Sequence, residues 1–256
     1  MIKNYDIVIV SHEKDFGVIK HIVNYADKNL KFDSIHLILS EREPFTELDI
    51  LKSYTNKPLF IHNETDVLRV DKSRIKFRPN WIYQMLLKLF QNVTQHDNFL
   101  VIESDCVILK PLDFFDGEKT IFYMGRDHFN QPYFNFNSEL LGIGREFDHS
   151  FICEFMMYDK KLIKDLLTKS SCNDINDFLE LIYKHTNEDC YMADYELYGN
   201  FVYKYHRDKF ETKKLNLKFL GRHYNDAMFW GNSEIDTIIS ENEDKDIVTF
   251  HTWGLN

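Results

Sequence analysis

Two acids with a serine between them, Glu103-Ser104-Asp105, interrupt a stretch that is otherwise apolar, with Phe99-Leu100-Val101-Ile102 before them and Val107-Ile108-Leu109 after them. A core-forming segment has no structural use for charge, because carboxylates are costly to take out of water unless they are paired or put to work. Neighbouring hard oxygen ligands suit a divalent cation, and a cation suits a ligand that carries phosphates. The same argument singles out Glu154, embedded in the apolar run HSFICEFMMY at residues 149–158. A third acidic place is Asp194 and Glu196, in ADYELYGNFVYKYH, where Leu197, Phe201, Val202 and Tyr205 have helical spacing. Acids at the start of a helix are often simple caps, so this pair by itself is ambiguous.

The surrounding elements must bring these groups to one place. Residues 5–10 (YDIVIV) read as a strand, SHEKD as a loop, and Phe16, Ile19, Ile22, Val23 and Ala26 as the apolar face of a helix that Asp15 would cap. Strands follow at residues 35–39 and 58–62 with a short helix at 47–54 between them, which is the βαβ rhythm of a mostly parallel sheet. In such sheets ligands meet the carboxyl ends of the strands. The first loop then opens on the same edge as Glu103 and Asp105, so Ser11, His12 and Lys14 can meet a nucleotide there; capping is the competing reading. A helix begins at Pro79 and feeds the acidic strand, carrying Trp81, Gln84 and Lys88 on one stripe. Arg78, just before it, is a candidate phosphate contact. Further on, residues 131–136 (QPYFNF) alternate as a half-buried strand does, and residues 149–158 read as another strand. Helices are expected at 160–167 and 177–185, and a last strand at the start of IVTFHTWGLN carries His251. Arg222, His223 and Trp230 stand in a strand and loop able to close over a ligand.

The chain has 256 residues, is 44% hydrophobic and shows no Pro/Gly/Ser-rich linker, which indicates one domain with a generous core. Its net charge of −10 argues against a nucleic-acid partner, since such proteins neutralise phosphates with Lys and Arg. Cys106, Cys153, Cys172 and Cys190 are widely spaced and form no CxxC, so a reduced, cytoplasmic protein is expected rather than a zinc protein. The apolar run at the start is too short for a signal peptide or a membrane span, leaving at most a peripheral membrane contact.

Taken together, DIVIVSH, WIYQMLLKLF running into NFLVIESDCVILKPLDFF, FICEFMMYDKKLI, ADYELYGNF and a His near the end resemble the nucleotide-sugar-dependent glycosyltransferases of the GT-A fold. The chain looks especially similar to a branch of bacteria and large viruses. The resemblance covers most of the sequence, although Glu103 stands where that family usually has Asp. It implies an α/β, Rossmann-like single domain with a central mixed, mostly parallel sheet flanked by helices. Its nucleotide-binding part would span about residues 1–110 and its acceptor-binding part about 111–256. It also implies Mn²⁺ (or Mg²⁺) held by Glu103, Asp105 and His251, and Ser11, His12, Lys14, Arg78, Gln84, Lys88 and Ser104 near the nucleotide. Glu196 or Asp194, with Glu154 third, would be the base of an inverting transfer from a nucleoside diphosphate sugar, UDP-linked donors being commonest, to a glycan or glycoconjugate acceptor. The rival of another class is a non-catalytic carbohydrate-binding or scaffolding protein with the same fold.

Overall fold

The structure is a computed structural model that describes residues 3–12, 15–40, 45–223 and 230–253. Its first part alternates as the sequence pattern expects: β1 (Tyr5–Ser11), α1 (Phe16–Asn29), β2 (Ile35–Leu39), a 3-10 stretch (Phe45–Tyr54), β3 (Leu59–Asn63), the single turn α2 (Glu64–Val67), α3 (Pro79–Phe90) and β4 (Asn98–Ile102). The chain continues with β5 (Cys106–Ile108), β6 (Phe115–Asp116), β7 (Lys119–Met124), α4 (Gln131–Leu141), β8 (Phe155–Asp159), α5 (Lys160–Lys169), α6 (Ile175–His185), α7 (Asp194–Tyr205), β9 (Phe210–Lys214), β10 (Leu217–His223), α8 (Asn232–Glu241) and β11 (Ile247–Trp253).

The central sheet has five strands in the order β3-β2-β1-β4-β8. β1, β2, β3 and β4 are parallel, and β8 alone runs against its neighbour β4. Alternation along the strands divides the interior into two layers. Ile7, Ile9, Leu100 and Ile102 pack with Ile19, Ile22 and Val23 of α1, whereas Val8, Val10, Phe99 and Val101 pack with Ile82, Leu86 and Leu89 of α3 and Leu197 and Phe201 of α7. With both faces covered, these strands read as unbroken apolar runs rather than as alternating ones. The fold is mixed α/β, a mostly parallel sheet flanked by helices. Two three-stranded sheets, β10-β11-β5 and β6-β7-β9, complete it.

Three local expectations are corrected. The stretch QPYFNF is the start of helix α4, not a strand: Tyr133, Phe134, Phe136 and Asn137 are buried at helical spacing, Pro132 sits in the first turn, and Gly142 closes the helix at φ 65°. The alternation of its aromatics over a few residues imitated a strand. Residues 149–154 are not strand either, since β8 begins only at Phe155. Asp15 stands at the start of α1 without capping it, because its carboxylate instead accepts the hydroxyl of Ser104 at 2.7 Å.

Candidate active site

Backbone pairing alone carries three side chains to the carboxyl edge of the central sheet. β1 and β4 are parallel, so the residues just beyond each strand emerge on the same edge. The acidic turn after β4 is held on one side by β8, where the Glu103 N–H donates to the Glu154 carbonyl at 2.9 Å. On its other side the last strand, β11, pairs antiparallel with β5, and the Phe250 N–H donates to the Asp105 carbonyl at 2.8 Å. Residue 251 is thereby set beside Asp105. The result is a compact cluster in which His251 Nδ1 lies 2.9 Å from Asp105 Oδ2 and His251 Nε2 lies 3.4 Å from Glu154 Oε1.

Each of these side chains offers one ligating atom, and the atoms lie within 4.8 Å of one another. Their side chains are only 12–17% exposed. Glu154 reaches the cluster from a backbone at φ 70°, a left-handed conformation that costs a non-glycine residue about 1–2 kcal/mol and that concentrates at functional positions. Burial opposes charge on His251, but the Asp105 and Glu154 carboxylates outweigh it and raise its pKa to about 11. The imidazolium therefore bridges two carboxylates. Glu154 is itself pushed up by burial, against the pull of His251. Two carboxylate oxygens and an imidazole nitrogen form a donor set that fits a divalent cation, which on binding would take the place of the imidazole proton.

Glu103 does not join this set. Its carboxylate is engaged by the ammonium of Lys88, which is 1% exposed. Burial would neutralise Lys88; the charges of Glu103 and Asp194 more than reverse this and raise its pKa. Lys88 is thus neither a solvated helix edge nor a ligand-facing cation, but the buried partner of the first acid of the motif. The second acidic place also turns inward. Asp194 is 2% exposed and accepts the Tyr158 hydroxyl at 2.9 Å; burial, moderated by Lys88, lifts its pKa to about 6. Glu196 is fully buried and accepts from the Ser150 hydroxyl at 2.6 Å, the Asn200 amide at 2.9 Å and the Phe151 N–H at 3.3 Å. Both carboxylates are thus buried and hydrogen-bonded within the protein. Their hydrogen bonds tie α7 to the 150–151 turn and to β8.

The remaining sequence candidates are distributed around the edge. Ser104 is buried and bound to Asp15, and Ser11 is buried at the end of β1, with His12 exposed beyond it. Arg78 has φ 47° and stacks its guanidinium 4.7 Å from the Trp81 ring centre, while Gln84 is half-buried one turn further along α3. Lys14 and the side chains of Arg222 and His223 lie outside the described residues. Trp230 is buried, edge-on to Phe250 at 5.3 Å. What sequence reasoning missed is that Glu154 belongs beside Asp105 and His251. The available signal was its cost within an apolar run; its position across from Glu103 was set by a strand reversal that no local pattern reveals.

Among solved structures, the chain is similar to mouse xyloside xylosyltransferase 1 in its apo form at 10% identity and a TM-score of 0.49, covering 97% of this chain and 98% of that one. It is also similar to the glycosyltransferase GlyE of Streptococcus pneumoniae TIGR4 at 11% identity and a TM-score of 0.45, covering 97% of this chain and 54% of that one. No curated protein matches it. The sequence pattern that does match extends over residues 7–236, and by it the chain belongs to the family of unknown function DUF6492.

Proposed function

We propose that this protein is a metal-dependent glycosyltransferase that moves a sugar from a nucleoside diphosphate sugar, UDP-linked in the first instance, to a glycan or glycoconjugate acceptor. The observation that carries this reading is the convergence of Asp105, Glu154 and His251 at the carboxyl edge of a mostly parallel sheet. That edge is where open α/β sheets receive ligands, and the resemblance of the surrounding motifs to GT-A enzymes points the same way. Sugar transfer leaves negative charge on the departing diphosphate and positive character on the sugar, so charge compensation at the leaving group is what the site must offer. Asp105, Glu154 and His251 would hold Mn²⁺ or Mg²⁺, which when bound supplies that compensation. Lys88 meanwhile keeps Glu103 neutralised, so that two carboxylates rather than three face the cation and their charge balances it. The nucleotide would lie toward the part formed by about residues 1–110, next to Ser11 and His12, with the acceptor toward about residues 111–256.

The test is incubation with a panel of nucleotide sugars and Mn²⁺, monitoring release of the nucleoside diphosphate. Release that depends on Mn²⁺ and disappears in Asp105→Ala supports the reading; no release from any donor, with metal affinity unchanged in Asp105→Ala, rejects it. The diversion of Glu103 to Lys88 favours one second reading, a carbohydrate-binding protein without turnover. Calorimetry separates the two, because such a binder takes up glycan with neither nucleotide nor metal, whereas the enzyme binds nucleoside diphosphate more tightly with Mn²⁺ present.

A further inference from the structure

Arg126 lies just beyond β7, exposed, and among the described residues no carboxylate stands within ion-pair distance of it. Two contacts fix its place. Its guanidinium carbon is 4.2 Å from the centre of the Phe219 ring, and that ring is in turn 4.5 Å from the ring of His251. Phe219 and His251 are same-face neighbours on the paired strands β10 and β11, because Phe219 is in register with Thr249. The second contact is through Gly125, which packs so closely on the residue before Glu154 that a Cβ added there would lie 3.3 Å from Cys153 Cβ. Arg126 is therefore attached to the rim of the Asp105–Glu154–His251 cluster from two sides, with its guanidinium within about 9 Å of the His251 ring.

That distance, at most the sum of the two ring contacts, is within reach of a phosphoryl group held at the cluster and accepting a charge-assisted hydrogen bond of ~2.8 Å from the guanidinium. The charge balance asks for such a group. Asp105 and Glu154 offset a divalent cation, and a diphosphate ester then adds negative charge that the cation no longer compensates. In a chain of net charge −10 no long-range field draws an anion in, so the compensation must be local. Among the described cations, Lys88 is paired with Glu103 and Arg145 with Asp127. Packing of the guanidinium on Phe219 restricts the exposed Arg126 side chain, which lowers the ordering cost of gripping a phosphate.

We infer that Arg126 binds the phosphates of the donor diphosphate and, with the metal centre, clamps the leaving group from the Phe219 side. The inference rests on the reading of Asp105, Glu154 and His251 as a metal–diphosphate centre. Calorimetry on wild type, Arg126→Gln and Arg126→Lys, first with Mn²⁺ alone and then with Mn²⁺ and inorganic pyrophosphate, tests it. Mn²⁺ affinity is expected to be the same in the three proteins, while pyrophosphate affinity falls about 10- to 100-fold in Arg126→Gln and less in Arg126→Lys, as the loss of a hydrogen bond between charged groups requires. Equal pyrophosphate affinity in wild type and Arg126→Gln overturns the role of Arg126 and leaves the metal–diphosphate centre standing. A parallel loss of Mn²⁺ affinity in Arg126→Gln also overturns it, because the residue would then be supporting the cluster rather than the ligand. Absence of Mn²⁺-dependent pyrophosphate binding in wild type removes the centre and Arg126 with it.

Discussion

The carboxylate of Glu103 closes on the buried ammonium of Lys88, so that the first acid of the Glu103-Ser104-Asp105 motif is held by α3 and the last by His251 of β11. A motif that looks like one bidentate unit in sequence is split between two partners. Lys88 fixes one half; His251 takes the other.

Replacing Lys88 by Met is expected to destabilise the protein by about 3 kcal/mol, because it leaves the part-buried Glu103 and the buried Asp194 without their cation. Adding Glu103→Met to the same chain should recover a good part of the loss, as a well-packed apolar pair serves about as well as a buried ion pair. Urea unfolding of the single and double variants measures both, and a double variant no better than Lys88→Met would show that the pair is not self-contained.

At the metal centre, Glu154→Gln and His251→Gln are expected to weaken Mn²⁺ binding by about tenfold or more, whereas Glu103→Gln should change it by no more than about threefold. Titration of Mn²⁺ by paramagnetic resonance gives the comparison directly. An order in which Glu103→Gln costs as much as Glu154→Gln would move the cation toward the acid motif.

Glu196→Gln should act on stability. Its carboxylate accepts three hydrogen bonds and is shielded from solvent, and an amide in its place puts an NH₂ against donors, at a cost of about 1–3 kcal/mol. Any turnover that the variant retains when folded is expected to keep the wild-type pH profile. A lost alkaline or acidic limb would restore Glu196 to the chemistry.

Acid should weaken the protein through His36. This ring is 3% exposed, lies 3.0 Å from the Ser34 hydroxyl through Nε2 and 3.0 Å from His62 Nε2 through Nδ1, and stacks on Phe60. Burial lowers its pKa to about 4, against the pull of Asp6. The folded state then binds fewer protons than the unfolded one between that value and the ordinary ~6.5 of histidine, so the stabilisation is complete above pH ~6.5 and is lost as the pH falls toward 4. The loss amounts to about 3 kcal/mol. His62, lowered by burial, contributes with the same sign. Urea unfolding at pH 7.5 and 4.5 should show a smaller difference in His36→Asn than in wild type.

Much of this was visible in the residues themselves. β1, α1, α3 and β4 follow from apolar periodicity because each packs on a core that its own sequence specifies; Asp105 stood out by its charge in an apolar run and His251 through the family resemblance, and the structure sets the two side by side. α4 was not, since the six residues QPYFNF alternate like a strand and only the continuation to Leu140 and Leu141 shows the helical period. The diversion of Glu103 to Lys88 and the inward turn of Asp194 and Glu196 were hidden for a different reason. Whether a carboxylate faces a ligand or a buried partner depends on what a distant segment places opposite it, and here those partners are Lys88, Tyr158 and Ser150.

One strand direction decides what kind of centre this chain can build. A strand entering the sheet in the common direction delivers to the working edge only the residue beyond its carboxyl end; β8, entering the other way, delivers the residue that precedes it. Were β8 turned to match β4, Glu154 would sit at the far end of a five-residue strand, about 16 Å away, on the rim where α3 ends. The topology thus recruits an acid from a segment that most parallel sheets could not use, and a homologue that lost the reversal would need a replacement ligand from elsewhere.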